Sequence, residues 1–332
     1  MSQEPNATPQ RHRGLFAIPV TPFAADGTLD QDSLRRVIQF CVEAGAHGIV
    51  TPVNASEFTT LSEEERTTVT RIAVQENERA GGRSRVPVVI GVGARTTTEA
   101  VQYARYAQEH GADAVIAMPA YDPPLDEHGI HDFYASLDRA VAIPVYIQNH
   151  ERIGPTAHSP SGPPRPGPGT PMTPEFMARL CRDLPHVQYI KEESANTGYK
   201  IVKTLELAGE SCLGIMGGKA GRYLLDEYRR GACGTMPASE SADVHAQLWN
   251  LLDAGKEREA RDLFNALLPL LNYEALFGTA VYKEVLYRRR IIASPFKRLA
   301  GLTLDRYDHQ ELDAILADLA PRFTVETPTT RP

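Results

Sequence analysis

The chain has 332 residues, 42% of them hydrophobic and 23% charged, with a formal net charge of −7 at neutral pH. That length accommodates one large α/β domain plus a smaller appendage, and the negative balance excludes a general electrostatic affinity for nucleic acid or an anionic membrane surface. Cys41, Cys181, Cys212 and Cys233 lack CxxC spacing, so they read as small core hydrophobes of a reducing compartment rather than as a zinc ribbon or a disulfide framework.

Residues 1–13 are polar and carry no apolar signal-like core, and no later stretch approaches 18 unbroken apolar residues. A disordered start and a cytoplasmic location are expected. "GLFAIPVTPF" (14–23) reads as a first strand. Residues 30–45 follow with Leu34, Val37, Ile38, Cys41 and Val42 on one helical stripe, stopped by Gly45. The cycle then repeats: strand "AHGIVTP", a helix from Ser62 with Glu65 placed for a capping box, strand "VPVVIGVG", and helix "TTTEAVQYARYAQEHGA". Strand "DAVIAMP", helix 127–140, strand "IPVYIQ", helix 173–184, strand "VQYIK" and helix 197–208 come next. Strand "CLGIMGG", helix 219–229, strand "CGTMP" and a helix from about 240 complete the series.

Eight strands, each followed by a helix, require parallel pairing with right-handed crossovers, and a (β/α)8 TIM barrel over residues 14–255 is the predicted architecture. Residues 256–322 turn all-helical and predict a C-terminal helical bundle with Leu263, Leu267, Leu270 and Leu271 in its core; residues 323–332 are expected to be a disordered tail. Between the fifth strand and its helix lies an insertion, residues 154–171, with seven prolines and four glycines. It reads as a solvated insertion, with a lid over the barrel mouth or a PxxP docking segment as the alternatives.

In such barrels reactive groups gather at the carboxyl ends of the strands. Lys191 ends the sixth predicted strand. Its side chain is either an ordinary solvated charge or, pointing inward, a desolvated amine able to attack a ketone. Residues 189, 191 and 193 share one strand face, so Glu193 follows Lys191 into the mouth while Glu192 turns toward the helices. Glu193 is then either a simple salt-bridge partner or the carboxyl that moves a proton beside a Schiff base.

Several motifs in order carry a family resemblance over Gly14 to about Leu319: "PVTPF" (19–23), "MPAYDPP" (118–124), "YIKEES" (189–194) and "GGKAGRYLLDEYRRGACGTMP" (217–237). The chain resembles the dihydrodipicolinate synthase and N-acetylneuraminate lyase family of class I aldolases. The resemblance implies an imine between Lys191 and a 2-oxo acid substrate, no cofactor, and a homotetramer built as a dimer of dimers. It places Asn54, Ala55 and Ser56 where the family's "GTTGE"-like loop holds the substrate carboxylate, with Glu57 retained. Tyr121 matches a loop tyrosine that family members lend to a neighbouring subunit, or is an interface aromatic.

The departures carry information. Where the family has the tyrosine of a "YNVP"-like motif, this chain has Gln148, which orients by hydrogen bonds and has no proton to exchange. Tyr146, two residues deeper, reads as barrel core. Gln148, the "NASE" loop and Glu193 together look like the subgroup that dehydrates 2-keto-3-deoxy sugar acids, notably L-2-keto-3-deoxyarabonate dehydratase. A pyruvate-dependent aldolase and a catalytically inactive ligand-binding relative are the alternatives.

Gly217 and Gly218 sit where many barrels bind phosphate, but "GGKAGR" lacks a P-loop's GK[ST], and the resemblance assigns both glycines to the 2-oxo acid site. His128, His131, His150 and His158 have no metal-binding spacing, so no metal is expected; His150 lies either at the surface or against substrate.

Overall fold

The structure is a computed structural model that describes residues 11–81, 85–120, 125–150 and 172–326. The expectations placed on Tyr121 and on the insertion at 154–171 lie outside the described residues.

Strands β1 (Gly14–Ala17), β2 (Gly48–Thr51), β3 (Val88–Gly91), β4 (Ala114–Ala117), β5 (Val145–His150), β6 (Val187–Glu193), β7 (Gly214–Gly217) and β8 (Gly234–Thr235) form one closed parallel barrel in sequence order. Pairing of Gly14 with Gly234 closes the ring. This is the predicted TIM barrel. Because the strands are covered on both sides, they carry β-branched and small apolar residues with little alternation.

Outside the barrel run α1 (Gln31–Glu43), α2 (Glu63–Gly81), α3 (Thr97–Glu109), α4 (Glu127–Ala140), α5 (Pro174–Asp183), α6 (Thr197–Ala208), α7 (Leu224–Arg229) and α8 (Ala242–Asp253). Their starts follow local chemistry. Asp30 accepts from the Ser33 amide at 2.9 Å, and Thr173 caps a helix whose first residue is Pro174. Ser62 and Glu65 exchange the two bonds of a capping box, at 2.9 and 3.2 Å. Helix α1 buries Leu34, Val37, Ile38 and Cys41 as its stripe predicts.

The helix expected over 219–229 is shorter. Lys219, Ala220 and Gly221 all have left-handed φ values of 51°, 57° and 75°, so they form a tight turn before α7 begins at Leu224.

Tyr146 and Tyr189 stack at 4.6 Å inside the barrel, among Phe16, Val89 and Met216. His12 closes the amino-terminal end: its Nδ1 lies 2.7 Å from the Tyr146 hydroxyl and its amide donates to the Tyr189 hydroxyl at 3.1 Å. The start expected to be disordered up to residue 13 is therefore ordered from at least Arg11, because two buried phenols need polar partners.

Helices α9 (Glu257–Phe277), α10 (Thr279–Arg288) and α11 (Arg306–Leu319) make the C-terminal bundle. Leu263, Leu267, Leu270 and Leu271 are buried in it beside Val281, Val285 and Leu312. Residues 323–326, assigned above to a disordered tail, are held in part: the amides of Thr324 and Val325 donate to Asp243, which also takes a two-pronged bond from Arg289 at 2.9 and 2.7 Å. No helix among the described residues is long and apolar enough to cross a membrane.

Candidate active site

Adjacent strands β5 and β6 build the site by register. Gln148 stands opposite Lys191 and His150 opposite Glu193. With Tyr146 and Tyr189 one step below in the barrel, the period of two carries Gln148 and His150, and Lys191 and Glu193, up the same inner face. Strand β6 continues two residues past Lys191, so the lysine lies within the strand rather than at its end.

Lys191 is buried, 3% exposed, which settles its placement against a solvated surface charge. Its Nζ lies 2.5 Å from Glu193 Oε2. The other Glu193 oxygen accepts from Gln148 Nε2 at 2.8 Å and stands 3.6 Å from His150 Nε2. Burial alone would raise the Glu193 pKa. The Lys191 charge, His150 and the bonds from Lys191 and Gln148 outweigh it and hold the carboxyl at about 2, so it is ionised at neutral pH. His150 lies against this carboxylate and is half-buried, which corrects its reading as a surface residue.

Glu192 faces outward, as the alternation requires. It accepts from Asn149 Nδ2 at 2.7 Å and from the Ser194 amide at 2.8 Å, and Ser194 in turn takes a bond from Lys200 on α6. Burial raises this carboxyl above the usual range against the lowering effect of Ser194 and Asn149. The network fixes β6 from behind, so the inward side chains of Lys191 and Glu193 are set by a rigid backbone.

Gly217 ends β7 and Gly218 follows it. The Gly218 amide donates to the Glu192 carbonyl at 2.9 Å, and a Cβ on Gly218 would lie 2.2 Å from the Glu193 Cβ. A Cβ on Gly217 would lie 1.9 Å from Glu227 Oε2 on the outer side. Both glycines are thus demanded by neighbouring glutamates, one inside the barrel mouth and one behind it.

Asn54, Ala55 and Ser56 form a short turn after β2. Ala55 belongs to the apolar cluster of the barrel interior and Asn54 is half-buried. Ser56 is fully buried: its hydroxyl donates to the Pro19 carbonyl at 2.7 Å and its amide to the Val53 carbonyl at 2.9 Å. Both of its hydrogens are used within the protein, so Ser56 ties the loop to the chain after β1. Beside it, Glu57 is ion-paired with fully buried Lys283 of α10 and accepts from the Leu299 amide at 2.6 Å.

Sequence reasoning passed over three buried polar residues that the C-terminal bundle and the β8 loop bring to this end of the barrel: Glu240, Glu274 and Lys283. One signal was present. Glu274 continues the α9 stripe of Leu267, Leu270 and Leu271 at helical spacing, a glutamate where an apolar residue belongs.

A closed β/α barrel whose mouth holds a buried lysine against a carboxylate defines a class of barrel enzyme equipped for amine chemistry on a small molecule. Residues 11–318 match the Dihydrodipicolinate synthetase family, and the chain belongs to that family, a family of lyases. L-2-keto-3-deoxyarabonate dehydratase from Azospirillum brasilense is 30% identical over 95% of this chain and 97% of its own length. A 4-hydroxy-tetrahydrodipicolinate synthase from Sulfurihydrogenibium sp. is 30% identical over 90% of this chain and 94% of its own. Among solved structures, dihydrodipicolinate synthase from Rhodopseudomonas palustris aligns with a TM-score of 0.78 at 27% identity, covering 92% of this chain and 97% of that one.

Proposed function

We propose that the protein is a hydro-lyase that removes water from a 2-keto-3-deoxy sugar acid through an imine on Lys191. The observation that carries the reading is the group formed by Lys191, Glu193 and Gln148: an amine 2.5 Å from a carboxylate, with an amide holding that carboxylate's other oxygen.

Glu193 takes a proton from the Lys191 ammonium beside it, which frees the amine to attack the C2 ketone, and returns it as the carbinolamine loses water. The protonated imine then draws electrons from C3 and acidifies its hydrogens. Glu193, ionised and adjacent, takes a C3 proton, and the C4 hydroxyl leaves. Hydrolysis of the imine releases the deoxygenated oxo acid and restores the amine. Gln148 keeps Glu193 aimed and takes no part in proton transfer, since an amide does not titrate near neutral pH.

The dehydratase relative supports the choice of reaction, and so does Gln148. Carbon–carbon bond formation or cleavage needs a proton relay to the aldehyde oxygen, and Gln148, where the family's tyrosine would stand, does not provide one. Incubation with L-2-keto-3-deoxyarabonate and mass analysis of products tests this. Loss of one water with no pyruvate is expected; release of pyruvate and an aldehyde overturns the dehydratase reading in favour of an aldolase.

A further inference from the structure

Glu193 takes a proton at C3, and the C4 hydroxyl leaves as water only when a second proton reaches its oxygen. Three side chains hold the Glu193 carboxylate: Lys191 on Oε2, and Gln148 and His150 on Oε1. Lys191 is committed to the imine while the C4–O bond breaks, and the Gln148 amide has no proton to give. His150 remains, an imidazole, the side chain that most readily exchanges protons near neutral pH.

Its placement fits the role. Gln148 stands opposite Lys191, and His150, the next inward position of β5, stands opposite Glu193. The stacked rings of Tyr146 and Tyr189 fill the barrel below, so a chain bonded through C2 to Lys191 extends upward, past Glu193 and toward His150. The imidazole Nε2 lies 3.6 Å from Glu193 Oε1, and its side chain is 19% exposed, enough to meet a ligand entering from the mouth. Between these inward residues, Asn149 is locked on the outer side. Its Nδ2 donates to Glu192 Oε2 at 2.7 Å and to the Met172 carbonyl at 3.1 Å, and its Oδ1 accepts from the Met172 amide at 2.8 Å. The Asn149–Glu192 bond pins β5 to β6 at the level where His150 and Glu193 project inward, so acid and base are held side by side.

We propose that His150, as the imidazolium, is the acid that delivers a proton to the departing C4 hydroxyl. Glu193 removes a C3 proton, and the electron pair of that C–H bond becomes the C3–C4 double bond as the C4–O bond breaks. The Nε2–H of His150 passes its proton to the oxygen, which leaves as water. The Glu193 carboxyl then hands the C3 proton across the 3.6 Å separation to the neutral imidazole, which restores carboxylate and imidazolium. The protein gains and loses no proton over the cycle, and one water is released. This role rests on the dehydratase reading and its imine on Lys191.

The leaving group supplies the test. Fluoride departs without being protonated, so L-2-keto-3-deoxyarabonate is compared with its analogue carrying fluorine in place of the C4 hydroxyl. His150→Gln keeps an N–H donor but has no acidic proton. In this variant the ratio of dehydration to fluoride release is expected to fall about 100-fold relative to wild type, with fluoride release itself within about threefold. A ratio within about tenfold of wild type overturns the assignment, because general acid catalysis is worth more than that. That result follows if Glu193 passes the C3 proton straight to the leaving oxygen, or if His150 only supports the fold and both rates drop together. Wild type that exchanges pyruvate methyl hydrogens in deuterated water but releases neither water nor fluoride refutes the dehydratase reading and the acid with it. Wild type that exchanges no pyruvate hydrogens refutes the imine itself.

Discussion

Gly218 and Glu193 occupy each other's space: a methyl group on Gly218 would come 2.2 Å from the Glu193 Cβ and 2.8 Å from its Oε2. The first of these atoms is anchored to the β6 backbone and cannot swing aside, so Gly218→Ala forces β6 and β7 apart at the lysine. Turnover is expected to fall about 100-fold, as a reacting group displaced by about 1 Å does. Steady-state kinetics on a variant whose circular dichroism matches wild type checks this.

Glu193→Gln retains shape and hydrogen bonding but cannot hold a proton. Dehydration is expected to drop by about 10²–10⁴-fold. The same residue links stability to pH. Its folded pKa of about 2 lies below the ordinary 4.5, so the stabilisation is present above pH 4.5 and lost as pH falls toward 2, to the extent of about 3 kcal/mol. Melting curves should show wild type losing its advantage over Glu193→Gln across that window; an advantage independent of pH contradicts the assignment.

Glu227 behaves oppositely. It is buried behind β7 with neither oxygen bonded to a donor among the described residues. Burial pushes its pKa up to about 7, helped by Asp226 and Glu192 against Thr197 and Lys219. The folded protein therefore holds a proton that the unfolded chain releases above about 4.5, and stability falls with rising pH between 4.5 and 7. Glu227→Gln removes that loss and should raise stability at pH 8 by about 2–3 kcal/mol, with little effect at pH 4. Denaturant titrations at the two pH values measure it.

Lys283 and Glu57 join the C-terminal bundle to the loop after β2 through side chains that are both 0% exposed. Lys283→Met leaves a buried carboxylate unpaired and should destabilise by about 3–5 kcal/mol, whereas the double change Lys283→Met with Glu57→Gln should recover much of the loss. Equal destabilisation by the single and double variants contradicts the pairing.

The barrel was readable because each strand and helix states its period locally, and Lys191 with Glu193 because a strand's period of two fixes which side chains share a face. The mouth was less readable. Ser56 is chemically suited to bind a carboxylate, but its hydroxyl and amide both turn inward, a matter of loop geometry that no local pattern encodes. His150 looked like a surface histidine because strand β5 runs two residues further than its apolar core. Glu240, Glu274 and Lys283 come from segments up to 43 residues apart, and only the packing of the bundle on the barrel brings them to this end of it.

The most direct test is covalent. Borohydride reduction in the presence of pyruvate, followed by peptide mapping, should place one adduct on Lys191 and none on the buried Lys283, and Lys191→Ala should abolish it. Absence of an adduct in wild type, or an adduct that persists in Lys191→Ala, contradicts the account.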